Sequence, residues 1–489
     1  MLDFNPKACI QEVVDGVLSP FDYLKKANKF LSSPAHKAIG REYVIRALDQ
    51  LPVFDGYSKL LQSLVRKSGL YPYLKKYFSS SDILGSDLVL SLYQSAVNPD
   101  FIFHSMQAKI YNLLVSGSNV VLSAPTSMGK SAIVDSLIAS NNFSRIVIVV
   151  PTIALIDETR RRLQHSFGSA FQVIHHGSQE RRKDKVIYVL TQERVNERDD
   201  LDNIDIFVVD EFYKLAFSQE ERTRAISLNI ALSKLLSVSK QFYMIGPYID
   251  SVRGMDALGK EYVFIPSEFN TVALNVNEYN LRPNNLDAKN AKLKEILKHE
   301  VGQTIIYCRS QKSIDQVVTS MDYFACENLS DEVEEYCRWL DYFYGSDWCY
   351  SRALRLGIGV HHGALPRALQ QKVVELFNKR KIRCLVCTST LIEGVNTVAE
   401  NVVIYDNRRS NTSIDDFTHK NISGRAGRMN KHLIGNVFCL ETLPKKDIQT
   451  NVVELPLGNQ GSESPLNLLA GIQKEHLADI GNECLDRFS

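Results

Sequence analysis

The chain has almost no net charge. Its 57 lysines and arginines nearly cancel 56 aspartates and glutamates, leaving a formal +1. Bulk charge therefore makes no case for nucleic acid or a membrane surface, and any basic binding face must be local. No apolar run approaches the roughly 20 residues that span a bilayer, so no membrane association is expected. The first residues, Met1-Leu-Asp-Phe-Asn-Pro, have neither a basic segment nor an apolar core and do not read as a secretory signal. Low-complexity tracts and short repeats are absent. The nine cysteines are scattered, which suggests reduced thiols and a cytoplasmic setting. Cys384 and Cys387 form a C-x-x-C inside the apolar stretch "IRCLVCTST" with no second ligand pair nearby, so buried core thiols are favoured over a zinc half-site.

What is present is ordinary globular composition, 44% hydrophobic and 23% charged over 489 residues, room for about three domains at roughly 150 residues each. Residues 1–95 read as a helical region. Ile10, Val13, Val14, Val17 and Leu18 follow amphipathic helical spacing, as do Leu60, Leu61, Leu64 and Val65. From about residue 100, short runs rich in β-branched residues alternate with helical stretches: "NVVLSA", "RIVIVVP", "KVIYVLT", "IDIFVVD" and "QFYMIG". Near-continuous apolar strands of this kind indicate a parallel sheet covered on both faces. "LRPNNLDAKN" (281–290) is polar and reads as a linker. The alternation then restarts with "TIIYCRS", "GIGVHHG", "RCLVCTS", "NVVIYDN" and "NVFCL". The expected fold class is α/β, with two tandem parallel-sheet domains over 96–275 and 276–452, and a short tail over 453–489 that includes the turn-rich "LGNQGSESP".

Three stretches carry chemistry. "APTSMGKS" (Ala124, Pro125, Thr126, Ser127, Met128, Gly129, Lys130, Ser131) lies between a strand and a helix, and loosely fits a phosphate loop, with Ala124 where the first glycine usually stands. Backbone N–H groups there can converge on phosphate oxygens. Lys130 would neutralise the β- and γ-phosphates, and Ser131 would take Mg2+. "IDIFVVDEFYK" ends an apolar strand in Asp210-Glu211, one carboxylate for the magnesium shell and one to polarise an attacking water. "NISGRAGRMN" carries Arg425 and Arg428 three apart. On a helix both guanidiniums would share a face, suited to phosphate oxygens. A strand–helix corner, a helix start and a solvated basic helix end are the bland alternatives for the three.

Together these stretches resemble superfamily 2 helicases, most closely the Ski-like DExH branch with its bacterial defence helicases. "HSMQAKI" resembles the adenine-reading glutamine motif and assigns Gln107. "VVPTIALIDE" and "LTQERV" resemble the strand-contacting motifs of the first domain, and "GVHHGALP" and "TSTLIEGVNTVAENVVI" those of the second. The resemblance implies two RecA-like domains that bind ATP and Mg2+ in the cleft between them, and a single strand of DNA or RNA. It implies nucleotide contacts at Gly394 and Asn396, and strand contacts at Pro151, Thr152, Thr191, His362, Gly363, Thr388 and Ser389. Those strand contacts would go mostly to the phosphate backbone.

The sequence departs from the family where Ser-Ala-Thr is usual and Gly246-Pro247-Tyr248 stands, where Asn421 replaces a glutamine, and in the Asp-Glu-Phe-Tyr box. The branch carries winged-helix and ratchet domains after the second core domain. Their place is taken here by a short tail, expected to be truncated or to leave strand separation to something else. The expected function is an ATP-driven helicase or translocase. Its alternative is an ATP-gated nucleic-acid sensor that switches an effector such as a nuclease, with a protein partner on the N-terminal helical region. Arg160 to Arg162, Arg181 to Lys185 and Asn378 to Arg383 are local basic clusters, offset by the acidic "SDEVEEYCRWLD". A metal on His361-His362 is disfavoured, since no third ligand accompanies the pair.

Overall fold

The computed structural model describes residues 5–78, 84–125, 128–140, 142–218, 221–300, 302–321, 329–394, 397, 399–429, 431–444 and 451–486. Its contacts gather into two compact units. One comprises Gly69–Phe269 with Ile448–Ser489, here the first unit; the other comprises Met1–Ser68 with Asn270–Asp447, the second unit.

The strands of the first unit are β1 (Val120–Ser123), β2 (Arg145–Val149), β3 (Gln172–Ile174), β4 (Val186–Leu190), β5 (Ile204–Asp210), β6 (Ser239–Gly246), β7 (Ser251–Arg253) and β8 (Val263–Pro266). Seven of them form a parallel sheet in the order β3-β4-β2-β5-β6-β1-β8. β1 and β4 are buried along their whole length, which is why they read as unbroken apolar runs. β3 and β8 left no such mark, one being three residues long and the other an edge strand ending in a proline.

In the second unit the strands are β9 (Ala273–Glu278), β10 (Thr304–Tyr307), β11 (Ile358–His361), β12 (Cys384–Cys387), β13 (Asn401–Ile404), β14 (Arg408–Arg409), β15 (Thr412–Ser413) and β16 (Ile434–Cys439). Six make a second parallel sheet, β11-β12-β10-β13-β16-β9, and β14 pairs β15. Cys384 and Cys387 lie buried in β12. Helix Lys37–Asp49 packs on the β9 edge. Buried Arg46 donates to Asn275 Oδ1 at 2.9 Å and to the Leu274 carbonyl at 3.1 Å, which covers an edge that would otherwise present unpaired backbone.

Two expectations need correction. Helix Pro6–Val14 stops before Val17, which is 80% exposed; the apolar spacing runs past Asp15-Gly16, where the chain turns. The linker is coil only to Asn285, whose side chain caps helix Leu286–His299 by accepting from Ala288 N.

The C-terminal segment returns to the first unit. β17 (Val452–Glu454) pairs in parallel with β7, and Leu455, Leu457 and Leu468 enter the core of the first unit. Fully buried Asn229 ties the return down, accepting from Leu457 N at 3.2 Å while donating to the carbonyls of Leu215 and Ala225. No helix among the described residues is long and apolar enough to cross a membrane.

Candidate functional site

β1 ends at Ser123, and the loop that follows is held from three sides. Ala124 N donates to the Gly246 carbonyl at the end of β6, 2.9 Å. Ala124, Pro125 and Met128 are buried. Gly129 takes φ +75, a left-handed conformation that side chains resist, and starts helix Lys130–Ala139. The Lys130 ammonium donates to the Ala124 carbonyl at 3.2 Å, across the mouth of the loop, and Ser131 is exposed on the first helical turn. Thr126 and Ser127 lie outside the described residues.

Gln107 is completely buried behind this loop. Its amide nitrogen donates to the carbonyls of Met128 and Gly129, 3.0 and 3.1 Å, and its oxygen accepts from His104 N at 3.2 Å. His104, which the sequence reading passed over, is also fully buried. One ring nitrogen accepts from Gln107 N, another contacts the Met128 carbonyl at 3.1 Å, and the ring stacks on Phe269 at 4.4 Å. The available signal was a polar residue at the N-cap of helix Ser105–Val115 with glutamine three places on, a capping box.

Asp210 closes β5, two strands from β1 on the same carboxyl edge. Glu211 follows at φ +58, which turns the chain off the strand. Asp210 Oδ1 accepts from Glu211 N at 3.1 Å. The Tyr243 hydroxyl, buried and without a hydrogen-bond partner among the described residues, is pushed well up by burial and then by the Asp210 carboxylate. A shallow pocket beside the pair is lined by Pro151, Gln192, Asp210, Glu211, Lys214 and Arg224, among others. Ser131 and Asp210 supply the hard oxygens magnesium prefers. The left-handed glycine and the helix start behind it suit a polyphosphate. The residues present fit nucleotide and metal.

The other predicted contacts in this unit sit on the same edge. Pro151 follows β2, and Thr152 caps helix Ile153–Phe167 by accepting from Leu155 N at 3.3 Å. Thr191, buried, is the residue before helix Gln192–Glu197. Arg224 donates to the Pro151 carbonyl. Gly246-Pro247-Tyr248 ends β6 with Tyr248 at φ +50. The Tyr248 carbonyl accepts from the Asn451 side chain at 3.0 Å, and Asp250 and Asn451 exchange two further hydrogen bonds.

In the second unit, His362, Gly363, Thr388 and Ser389 meet at the carboxyl ends of β11 and β12. Thr388 N donates to the His361 carbonyl at 3.2 Å, and His362 contacts the Gln311 amide at 3.1 Å. Burial, then neighbouring His362, pushes buried His361 down to about 4, leaving it neutral. Gly394 ends helix Ser389–Gly394, and Asn396 lies outside the described residues.

The arginines depart from expectation. Helix Asp416–Ser423 ends before them, so they do not share a helical face. Gly427, at φ +77, turns the chain, and Ala426 bridges Ala399 just ahead of β13. Arg425 is half-buried and donates to the Ile392 carbonyl; Arg428 is exposed. Both sit by the amino ends of β13 and β16, the opposite edge of the sheet from His362 and Thr388.

Residues 7–84 match the anti-bacteriophage protein B N-terminal domain, 104–244 the DEAD/DEAH box helicase family and 288–430 the helicase conserved C-terminal domain. The chain is 51% identical over 476 residues to anti-bacteriophage protein B of Escherichia coli (strain K12), covering 96% of this chain and 65% of that protein. It is 26% identical to helicase POLQ-like of Homo sapiens over 76% of this chain and 38% of that protein. DNA polymerase theta of Drosophila melanogaster is 23% identical over 67% of this chain and 19% of its own length. The chain thus spans less than two thirds of each of these relatives.

Proposed function

We infer that this chain, a DExH-type helicase of superfamily 2, hydrolyses ATP to move on single-stranded DNA or RNA. The observation that carries the inference is the shared edge of the first sheet, where the Gly129 loop and the Asp210-Glu211 pair end strands two places apart. Domains over 96–275 and 276–452 would divide the work. Magnesium, when bound, screens the charge of the phosphates. Ser131 and Asp210 would hold it, and Lys130 would neutralise the terminal phosphates after leaving the Ala124 carbonyl. Glu211 would orient water for in-line attack. Arg425 and Arg428 would stabilise charge on the terminal phosphate during the cycle, and Gln107 would support the nucleotide site. Pro151, Thr152, Thr191, His362, Gly363, Thr388 and Ser389 would carry the nucleic-acid backbone. The match to an anti-bacteriophage protein supports a role in cytoplasmic antiviral defence.

The test is ATP turnover with and without single-stranded nucleic acid. Lys130→Ala and Glu211→Gln are expected to abolish turnover. Arg428→Ala is expected to spare ATP binding while lowering turnover on the order of a thousandfold. Native-rate hydrolysis by Lys130→Ala refutes the inference.

One observation favours the sensor reading as a second possibility. The Gly246-Pro247-Tyr248 loop, standing where the family's coupling motif lies, is tied to Asn451 of the C-terminal return. A tailed-duplex displacement assay separates the two. Strand release with ATP supports the motor. Nucleic-acid-stimulated hydrolysis without release supports a sensor whose effector partner would bind the N-terminal helices.

A further inference from the structure

The acidic stretch that neutralises the chain's basic clusters is also its most aromatic. Seven of the fifteen residues from Tyr336 to Tyr350 are aromatic, and both tryptophans of the chain, Trp339 and Trp348, are among them. Helix Asp331–Tyr344 packs inward through Val333, Cys337 and Leu340, so its apolar requirement is met without these rings. Yet Tyr342 is 82% exposed, Phe343 61%, Tyr344 45% and Trp339 43%. A contiguous group of large exposed rings on a folded unit marks an interaction surface.

The rings are held in place. Trp339 stacks on Tyr336 at 6.0 Å and 17°, and meets Phe343 at 4.9 Å. Tyr344 stacks on Trp348 at 4.8 Å and 24°, and Trp348 on Tyr350 at 5.1 Å. Buried Tyr350 anchors the group by donating to the Leu369 carbonyl at 3.1 Å. The plate is preorganised, and a ligand need not pay to order it.

Charge decides what fits. Glu332 is engaged by Lys372 and Lys379, and Asp341 by Arg355. Asp331, Glu334 and Glu335 are exposed with no salt bridge among the described residues, while Asp347, also exposed, lies within the field of Arg355. Across 331–355 six carboxylates stand against three arginines. Stacked bases would suit the rings, but a phosphate backbone would meet uncompensated carboxylates. A guanidinium satisfies both features, lying flat on an aromatic face while its N–H fork pairs with a carboxylate. We propose that this face docks an arginine-bearing basic segment of a partner protein. The docking is independent of the nucleotide site.

Because both tryptophans lie in the plate, intrinsic fluorescence of the full chain reports on it directly. The probes are a twelve-residue arginine-rich peptide, a lysine peptide of equal length and charge, and a twenty-residue oligothymidylate. The arginine peptide is expected to change the emission saturably, bind at least several-fold tighter than the lysine peptide, and weaken as salt rises. The oligothymidylate is expected to leave the emission unchanged. Tyr342→Ser with Phe343→Ser, and separately Glu334→Gln with Glu335→Gln, change exposed positions and are expected to keep the native circular dichroism while weakening the peptide about tenfold. Quenching by the oligothymidylate alone would make the face a nucleic-acid platform and overturn the proposal. So would equal binding of the two peptides with no effect of the aromatic substitutions, which is bare charge attraction, or an emission change on dilution alone, which is self-association.

Discussion

Lys289 is wholly buried, on a helix that the sequence presents as polar linker. Its ammonium donates to Asp406 Oδ1 at 2.7 Å and Glu441 Oε1 at 2.6 Å, and lies 4.2 Å from the centre of the Tyr405 ring. The free carboxylate oxygens have other donors. Asp406 Oδ2 accepts from Arg309 N at 3.0 Å and from Ser313 Oγ, and Glu441 Oε2 accepts from Asn407 N at 3.0 Å. One cation thus sets the turns after β10, β13 and β16 in register with each other. Removing one partner of a buried ion pair costs roughly 3–5 kcal/mol, because the charge left behind stays desolvated. Here two carboxylates lose the same cation but keep three donors, so Lys289→Met is expected to destabilise the second unit by about 4 kcal/mol. In a unit of this size each kcal/mol lowers the midpoint by roughly 2–4 °C. A fall of about 8–16 °C is expected in the thermal transition of that unit, with the first unit's transition unmoved. Calorimetry of the full chain resolves the two. The triple variant Lys289→Met, Asp406→Asn, Glu441→Gln should recover most of the loss, since no bare charge remains. A shift worth less than about 1 kcal/mol, or a triple variant no better than the single one, refutes the electrostatic argument.

Three further outcomes are expected. Gln107→Ala strips hydrogen bonds from the buried Met128 carbonyl and the part-buried Gly129 carbonyl, each worth roughly 1 kcal/mol, and should weaken binding of a fluorescent ATP analogue about tenfold; unchanged affinity would make the brace irrelevant. His361 is neutral in the fold down to about pH 4, whereas the unfolded chain takes up that proton near 6.5. Stability from this group is therefore intact above pH 6.5 and falls by up to roughly 3 kcal/mol as pH drops toward 4. The urea-stability gap between wild type and His361→Gln should narrow on acidification, and a constant gap contradicts this. A β-carbon at Gly458 would stand 1.7 Å from the Gly254 carbonyl oxygen. Gly458→Ala should therefore cost more than about 2 kcal/mol in the first unit and expose the C-terminal return to limited proteolysis; a native digestion pattern would argue otherwise.

What was legible followed from local constraints. Strands buried on both faces leave unbroken apolar runs, so β1, β2, β4, β5 and β6 were readable. The corner after β1 was readable because a left-handed turn between a strand and a helix favours glycine, here Gly129 at φ +75. Gly424 and Gly427 sent a signal as well, but one that spacing alone misreads. Arg425 and Arg428 sit three apart as on a helix, while the glycines between and before them end the helix and turn the chain.

The unreadable features depend on partners far away in the chain. Lys289 in a polar stretch looks solvated until Asp406 and Glu441, more than a hundred residues later, are brought to it. Asn451 and Asn229 are ordinary polar residues until the C-terminal segment returns to β7, beside the loop after β6. That loop also shows why family analogy runs out there. Ile249 N donates to the Ser123 hydroxyl at 2.6 Å and Ala124 N to the Gly246 carbonyl, so the phosphate loop and the Gly246–Asp250 turn are fastened to each other, and the turn in turn to Asn451. On the proposed ATPase function, a rearrangement of the turn must either carry the C-terminal return with it or break three hydrogen bonds to Asn451. Replacing Asn451 by alanine removes only the side-chain bond to Tyr248, and so separates these cases. If the return moves with the turn, nucleic-acid stimulation of ATP turnover persists in that variant. If the bond must break, stimulation rises. Loss of stimulation with basal turnover intact would show that the return holds the turn in its responsive conformation.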